Sequence, residues 1–354
     1  MLVVAIVAVG SVSAAENVTT DIDVPTEEIE IDDSVVEEFE IEDITEDADV
    51  DDNSGNIRSS DIHVNNGMTL DQIQGNISNA ADGSTIYFDS GIYNNISLTL
   101  NKSNVIYSGY GATLNGNGAD HVLILQDNLS NFTIQGFKIN VNNNGSSAIR
   151  GSFIYNGNIL NNELSNGENG INIFKSYDNI TVEDNTIRNM TQDGISFANP
   201  ITFSNITDLG RTHIIHNGIY DSGYGIFIGG NFNGEIDNND IQRCTSGIEF
   251  LGKPDGSIGN INATISRNYI YDVYYGINMT NMTIHYLNID TNWIFGHTAN
   301  NLVINYLNLD FAGDYVLDVI DNSFYGSIYQ SFVEDMCTDY DNVVNATIIN
   351  DYDI

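Results

Sequence analysis

Residues 214–228 read IIHNGIYDSGYGIFI, and the same pattern returns as IDNNDIQRCTSGIEF at 236–250 and as ISRNYIYDVYYGINM at 265–279. Each stretch has a β-branched residue, an Asn three places later, an apolar residue two beyond that, and a Gly-Ile pair six further on. Working outward, the Asn recurs at Asn162, Asn185, Asn217, Asn239, Asn268, Asn292 and Asn322. Ile159, Val182, Ile214, Ile236, Ile265, Ile289 and Val319 precede it by three; Leu164, Ile187, Ile219, Ile241, Ile270, Ile294 and Phe324 follow it by two. Gly170, Gly194, Gly225, Gly247 and Gly276 open the next segment, whose second inward residue is Ile173, Phe197, Ile228, Phe250 or Met279. Self-similarity at this period is the mark of a solenoid.

In a straight strand, residues on one face are an even number apart, yet the two apolar ladders flanking the Asn are five apart. The chain must turn between them. One residue in left-handed backbone would turn it, and Asn tolerates that conformation best among residues with a side chain, so the spacing predicts a left-handed Asn ladder. Stacked at about 4.8 Å, these side chains can also hydrogen-bond from coil to coil. A helical solenoid would need an apolar stripe of period 3.6, which these β-branched, Asn-rich and Gly-rich coils lack.

The coils resemble right-handed parallel β-helix repeats of the pectin-lyase-like superfamily. Residues 66–116, NGMTLDQIQGNISNAADGSTIYFDSGIYNNISLTLNKSNVIYSGYGATLNG, resemble the opening of adhesin-like surface proteins of methanogenic archaea. The resemblance spans 62–345 and implies an all-β fold: a single-stranded right-handed parallel β-helix of about ten coils with an N-terminal capping helix. Physically, Thr69 with Gln72 forms a capping box, and Leu70, Ile73, Ile77 and Ala80 line one helix face. That helix would shield a first edge strand at 85–88. The solenoid is assigned to 61–345 and a C-terminal tail to 346–354.

Composition agrees with a chain that turns often: 51 of 354 residues are Asn and 32 are Gly. Ten Lys and Arg against 49 Asp and Glu give a charge of −39, which excludes nucleic acid as a partner, since a polyanion needs a basic patch. Residues 16–52 carry 18 of the acids and no base, so 16–60 reads as a disordered acidic leader. Before it, MLVVAIVAVGSVSAA at 1–15 reads as a secretory signal core whose basic flank would lie upstream of Met1. No later apolar run is long enough to span a membrane. An extracellular or cell-surface location follows as the expectation, with 14 Asn-x-Ser/Thr sequons, including Asn95, Asn131, Asn179, Asn262 and Asn281, open to glycosylation.

Two surface features could bind a ligand. Longer coils insert residues 198–212, 252–263 and 305–318, loops that would project from one edge. Tyr269, Tyr271, Tyr275, Trp293 and Phe295 gather on neighbouring coils, and exposed rings can stack on sugars, which points to a polysaccharide or cell-surface glycan as partner of a monomeric chain. Tyr also suits a β-surface on propensity alone.

Catalysis finds less support. Galacturonan hydrolases of the superfamily carry NTD, paired Asp, GHG and RIK motifs; here adjacent Asp pairs occur only at Asp32–Asp33 and Asp51–Asp52, and His297 precedes Thr298 rather than Gly. The DPHE motif of alginate epimerases is absent. Arg188, Arg211, Arg243 and Arg267 could serve a lyase but stand in no lyase motif, and Asp184, His216 and Arg267, each preceding an anchor Asn, are assigned to outward polar positions on separate coils. A polysaccharide lyase, hydrolase or epimerase, and a purely structural wall component, remain the rivals to an adhesin-like binding protein. The six His show no zinc-type pairing, so no metal or cofactor is expected beyond calcium held loosely at acidic corners. Cys244 and Cys337 fall three rungs apart, too far to pair.

Overall fold

A computed structural model describes residues 61–201, 206–253 and 255–295, and beyond them the strands Asn300–Asn305, Asn308–Leu309, Val316–Ile320, Ser323–Phe324 and Ala346–Ile348. All belong to the unit Asn56–Ile354. The signal-like start, the acidic leader, Asn322 and Cys337 lie outside the described residues.

Among the described residues every strand pairing is parallel, and each strand pairs with its counterpart one coil away, so this part of the chain winds as a β-helix with three faces. Sheet one runs from Ile62–Val64 through Thr212–Ile215, Phe232–Asp237 and Gly259–Ser266 to Ala346–Ile348, which pairs with Val316–Ile320 inside the segment read as a tail. Sheet two climbs from Gly91–Asn94 through Thr186–Met190, Gly218–Tyr220, Asp240–Gln242, Tyr269–Tyr271 and Trp293–Phe295 to Ser323–Phe324. Sheet three climbs from Leu98–Leu100 through Asp193–Asn199, Tyr224–Gly230, Ser246–Leu251 and Tyr275–Thr280 to Asn300–Asn305.

The apolar ladders fill the interior. Ile159, Val182, Ile214, Ile236, Ile265 and Ile289 are fully buried on sheet one, as are Ile187, Ile219, Ile241, Ile270 and Ile294 on sheet two. On sheet three the Gly-Ile pairs stack in register, and here glycine is required by proximity. A Cβ at Gly225 would lie 2.4 Å from Ile241 Cγ2 and 2.5 Å from the Gly247 carbonyl oxygen of the next coil.

The helix Leu70–Ser78 opens on the capping box: Gln72 N–H donates to Thr69 Oγ1 at 3.2 Å and Thr69 N–H to Gln72 Oε1 at 2.9 Å. Ile73, Ile77 and Ala80 are buried under it, whereas Leu70 stays exposed. The edge it shields is not 85–88, because Ile62–Val64 already pairs there. It covers Leu98–Leu100, the first rung of sheet three. Gln74 accepts from Thr99 N–H at 2.9 Å and donates to Thr99 C=O at 2.8 Å, so one side-chain amide occupies both bonding groups on the outer edge of a strand whose other edge pairs with His121–Leu125.

The left-handed Asn ladder expected from the spacing is overturned as well. The left-handed residues are not the anchor Asn but their predecessors: Asn161, Asp184, His216, Asn238, Arg267 and Thr291, with φ from 52° to 56°. The anchors Asn162, Asn185, Asn217, Asn239, Asn268 and Asn292 are instead at most 1% exposed. A buried amide is best used for hydrogen bonds, and the turn is left to the outward residue beside it, whose polar head stays in water. Asn117, Asn142, Asn166 and Asn189 are likewise left-handed at a second corner, which accounts for further Asn of the excess.

Thr291 is the costliest of these turn residues, because a β-branched side chain crowds the left-handed backbone. Thr291→Asn is expected to stabilise the protein by about 0.5–1 kcal/mol, relieving part of the left-handed penalty. A urea midpoint that fails to rise would show that the Thr291 Oγ1 bond to Asp290, 2.7 Å, outweighs that relief.

Candidate functional site

The outer surface of sheet two holds most of the aromatic patch. Ile270 and Ile294 point inward, so the flanking residues of each strand point out. Tyr269 pairs with Trp293 and Tyr271 with Phe295, giving a two-by-two array on adjacent rungs. The Phe295 ring lies 4.8 Å from that of Tyr269, edge to face, and 4.9 Å from that of Tyr271. Trp293 is 56% exposed and Tyr271 39%, so the array offers ring faces to solvent. Tyr275 does not join it. It opens the sheet-three strand and packs against Tyr274 at 4.6 Å.

The array continues through polar rungs. Gln242 pairs with Tyr271, Tyr220 with Gln242, and Arg188 with Tyr220, so Arg188, Tyr220, Gln242, Tyr271 and Phe295 form one outward column. At about 4.8 Å per rung it is roughly 19 Å long. The Tyr220 hydroxyl donates to Asp240 Oδ2 at 2.9 Å, and the guanidiniums of Arg188 and Arg243 each lie 5.9 Å from its ring centroid. Arg243 is forked onto Asp221 at 2.6 and 2.8 Å and holds that carboxyl below its usual range. Beyond Arg188 a shallow groove of about 290 Å³ runs past Ser165, Glu163 and Lys138.

Sequence reading missed Arg188 and Gln242 as members of this site. The signal was present: all five column residues stand three places after an anchor Asn, an offset that alternates inward and outward with the ladder.

The insertions behave differently from the expected projecting loops. In the first, Ile206 and Leu209 are buried, Asn233 Nδ2 donates to the Leu209 carbonyl, and Asn231 bonds the Ile201 carbonyl. Asn231 also accepts the Tyr177 hydroxyl on its own carbonyl at 2.9 Å. The described parts of this insertion, 198–201 and 206–212, therefore fold down onto the body. The 252–263 insertion ends as strand, since Gly259–Ser266 pairs along Phe232–Asp237. Most of the third lies outside the described residues.

Sheet three carries two acids in low-polarity surroundings. Burial pushes Asp193 up to about 6, against a hydrogen bond with Ser196 and with help from the Glu168 charge. Burial also raises Glu249, whose two oxygens accept from Asn278 Nδ2 at 2.8 and 3.0 Å. Both charges raise Tyr224, after its own burial. An acid raised on folding binds its proton more tightly in the folded state, so its stabilising effect is complete below the unfolded value near 3.8 and is lost as pH rises through about 6. Asp193→Asn is accordingly expected to leave stability at pH 3.5 unchanged and to raise it at pH 7 by about 1–3 kcal/mol. Equal effects at both pH values, read by urea denaturation, would contradict this.

The grouping of Asp184, His216 and Arg267 is resolved as one corner column. Asp184 and His216 are neighbours at 4.0 Å, with Glu183 Oε1 3.5 Å from His216 Nδ1. Arg267 stands two coils on and is engaged by Asp237. Cys244 is buried and unpaired, its thiol pushed up to about 12 by burial. Among the described residues no helix is long and apolar enough to cross a membrane.

No family model matches the chain, and no curated protein matches it. Solved structures do. ORF18 of Geobacillus virus E2 is 16% identical over 72% of this chain and 62% of its own, with a TM-score of 0.47. The polygalacturonase from Erwinia carotovora ssp. carotovora is 11% identical over 77% of this chain and 96% of its own, TM-score 0.45. The A-module of the Azotobacter vinelandii mannuronan C-5 epimerase AlgE6 is 16% identical over 73% and 83%, TM-score 0.41. The chain is a right-handed parallel β-helix. At these identities the likeness concerns the fold alone.

Proposed function

We propose that this protein is an exported, cell-surface or released β-helix that binds a polysaccharide or another cell's envelope glycan along sheet two. The observation that carries the reading is the array of Tyr269, Tyr271, Trp293 and Phe295, continued by the Gln242, Tyr220 and Arg188 column. Flat rings at the rung spacing present apolar faces to sugar rings, and the polar members supply the directional bonds that a carbohydrate needs. The rigid ladder beneath holds them in place before any ligand arrives, which lowers the entropic cost of binding. The resemblance of 66–116 to adhesin-like archaeal surface proteins and the signal-like start favour the same reading. A glycan array probed with the purified chain is expected to show binding to an extended polysaccharide, and silence on every glycan would remove the proposal.

A second reading, a polysaccharide-active enzyme, is favoured by Asp193 and Glu249 on sheet three, since an acid raised toward neutrality can donate a proton. Incubation with uronate and neutral polysaccharides, followed by assay for unsaturated products and new reducing ends, separates the two. Neither binding nor turnover would leave a structural wall component.

A further inference from the structure

The corner between sheets one and two brings three metal-ligating groups together from two successive coils. Glu183 ends one sheet-one segment, Asp184 turns the chain after it, and His216 makes the same turn one coil later. All three present side-chain donors within 4.8 Å of one another. We propose that Glu183, Asp184 and His216 bind one divalent transition metal ion, zinc being the reference case, and that the ion staples the two coils at their corner.

The distances support a shared ion better than direct pairing. His216 Nδ1 is 3.5 Å from Glu183 Oε1 and 4.0 Å from Asp184 Oδ1, both longer than a good charge-assisted hydrogen bond. Two ligands held about 2.1 Å from a tetrahedral ion lie about 3.4 Å apart, a spacing that the 3.5 Å gap to Glu183 meets and that the 4.0 Å gap to Asp184 reaches once the half-exposed carboxylate closes by about 0.6 Å. Elsewhere the same surface shows what direct pairing looks like: His213 Nδ1 meets Glu235 Oε1 at 2.6 Å.

The donor set also selects the ion. Calcium prefers six to eight oxygens and magnesium a near-octahedral oxygen shell, whereas one imidazole nitrogen with two carboxylates suits zinc, nickel or copper. All three side chains are partly exposed, between 34% and 50%, so water can complete the shell and exchange is open. Sequence inspection overlooks the site because its ligands lie 32 residues apart and meet only through coil register.

The test is isothermal titration of the full chain with zinc chloride, alongside His216→Asn and Glu183→Gln. Asn is at ease in left-handed backbone, so H216N removes the imidazole while keeping the turn. The acidic leader contributes the same weak background to all three proteins. One equivalent of tighter binding in the parent, weakened at least tenfold in both variants, is expected, with a zinc-dependent rise in melting temperature that H216N loses. Equal titration curves for parent and variants would overturn the proposal, as would displacement of zinc by an equal concentration of calcium. His213→Ala should leave the equivalent intact; its loss there would assign the ion to the His213–Glu235 pair and overturn the site argued above.

Discussion

Replacing Asn217 with Ala is expected to lower the free energy of unfolding by about 3–5 kcal/mol, as large as for any polar substitution among the described residues. Asn217 is 1% exposed and fully engaged. Its Nδ2 donates to the carbonyls of Val182 and Ile215, both at 2.9 Å, and to Asn239 Oδ1 at 3.0 Å. Its Oδ1 accepts from the backbone N–H and from Nδ2 of Asn185, both at 3.0 Å. Truncation removes these bonds and strands the Asn185 N–H away from water, a loss of about 1–3 kcal/mol by itself. The adjoining His216→Asn change, at the exposed left-handed position, should shift stability by less than about 1 kcal/mol, since Asn accepts that backbone. Urea denaturation of both variants is decisive: comparable midpoints would mean that the ladder is incidental to stability.

The second large effect concerns recognition. Trp293 is the chain's single tryptophan, and it lies in the aromatic array, so its emission reports on that surface alone. Titration with a bound polysaccharide should shift the emission to shorter wavelength as water leaves the indole. Trp293→Ala should weaken binding about 10–100-fold, in the range found when a central aromatic anchor is removed. Tyr271→Ala should cost somewhat less, and Tyr275→Ala, round the corner on sheet three, should cost little. With the fold intact by circular dichroism, unchanged affinity in W293A would exclude sheet two as the binding surface and redirect attention to sheet three.

The parallel β-helix could be read from the sequence because its rule is local and repeated. An apolar residue three before and two after each Asn defines the inward ladders, and Thr69 with Gln72 announces the capping helix within four residues. What escaped reading depends on contacts between coils. Nothing within one coil says that Asn217 is buried while His216 turns the chain, because the reason lies in Asn185 and Asn239 above and below it. The aromatic array was visible as a cluster, but its extension through Gln242, Tyr220 and Arg188 requires coils of unequal length to be brought into register. The insertion at 198–212 looked like a free loop because its anchoring partners, Asn231 and Asn233, belong to the following coil.

The buried Asn ladder gives the molecule a direction. From Asn162 to Asn268 every anchor Asn donates its backbone N–H and Nδ2 to the Oδ1 of the following coil's anchor, the last acceptor being Asn292, without reversal. Such a chain can be lengthened or shortened by whole coils and still close on itself, since each unit offers the same acceptor below and the same donors above. The outward positions take no part in that continuity. The length of the outer surface can thus change by duplication of a coil, and its chemistry by substitution of residues that the interior never touches.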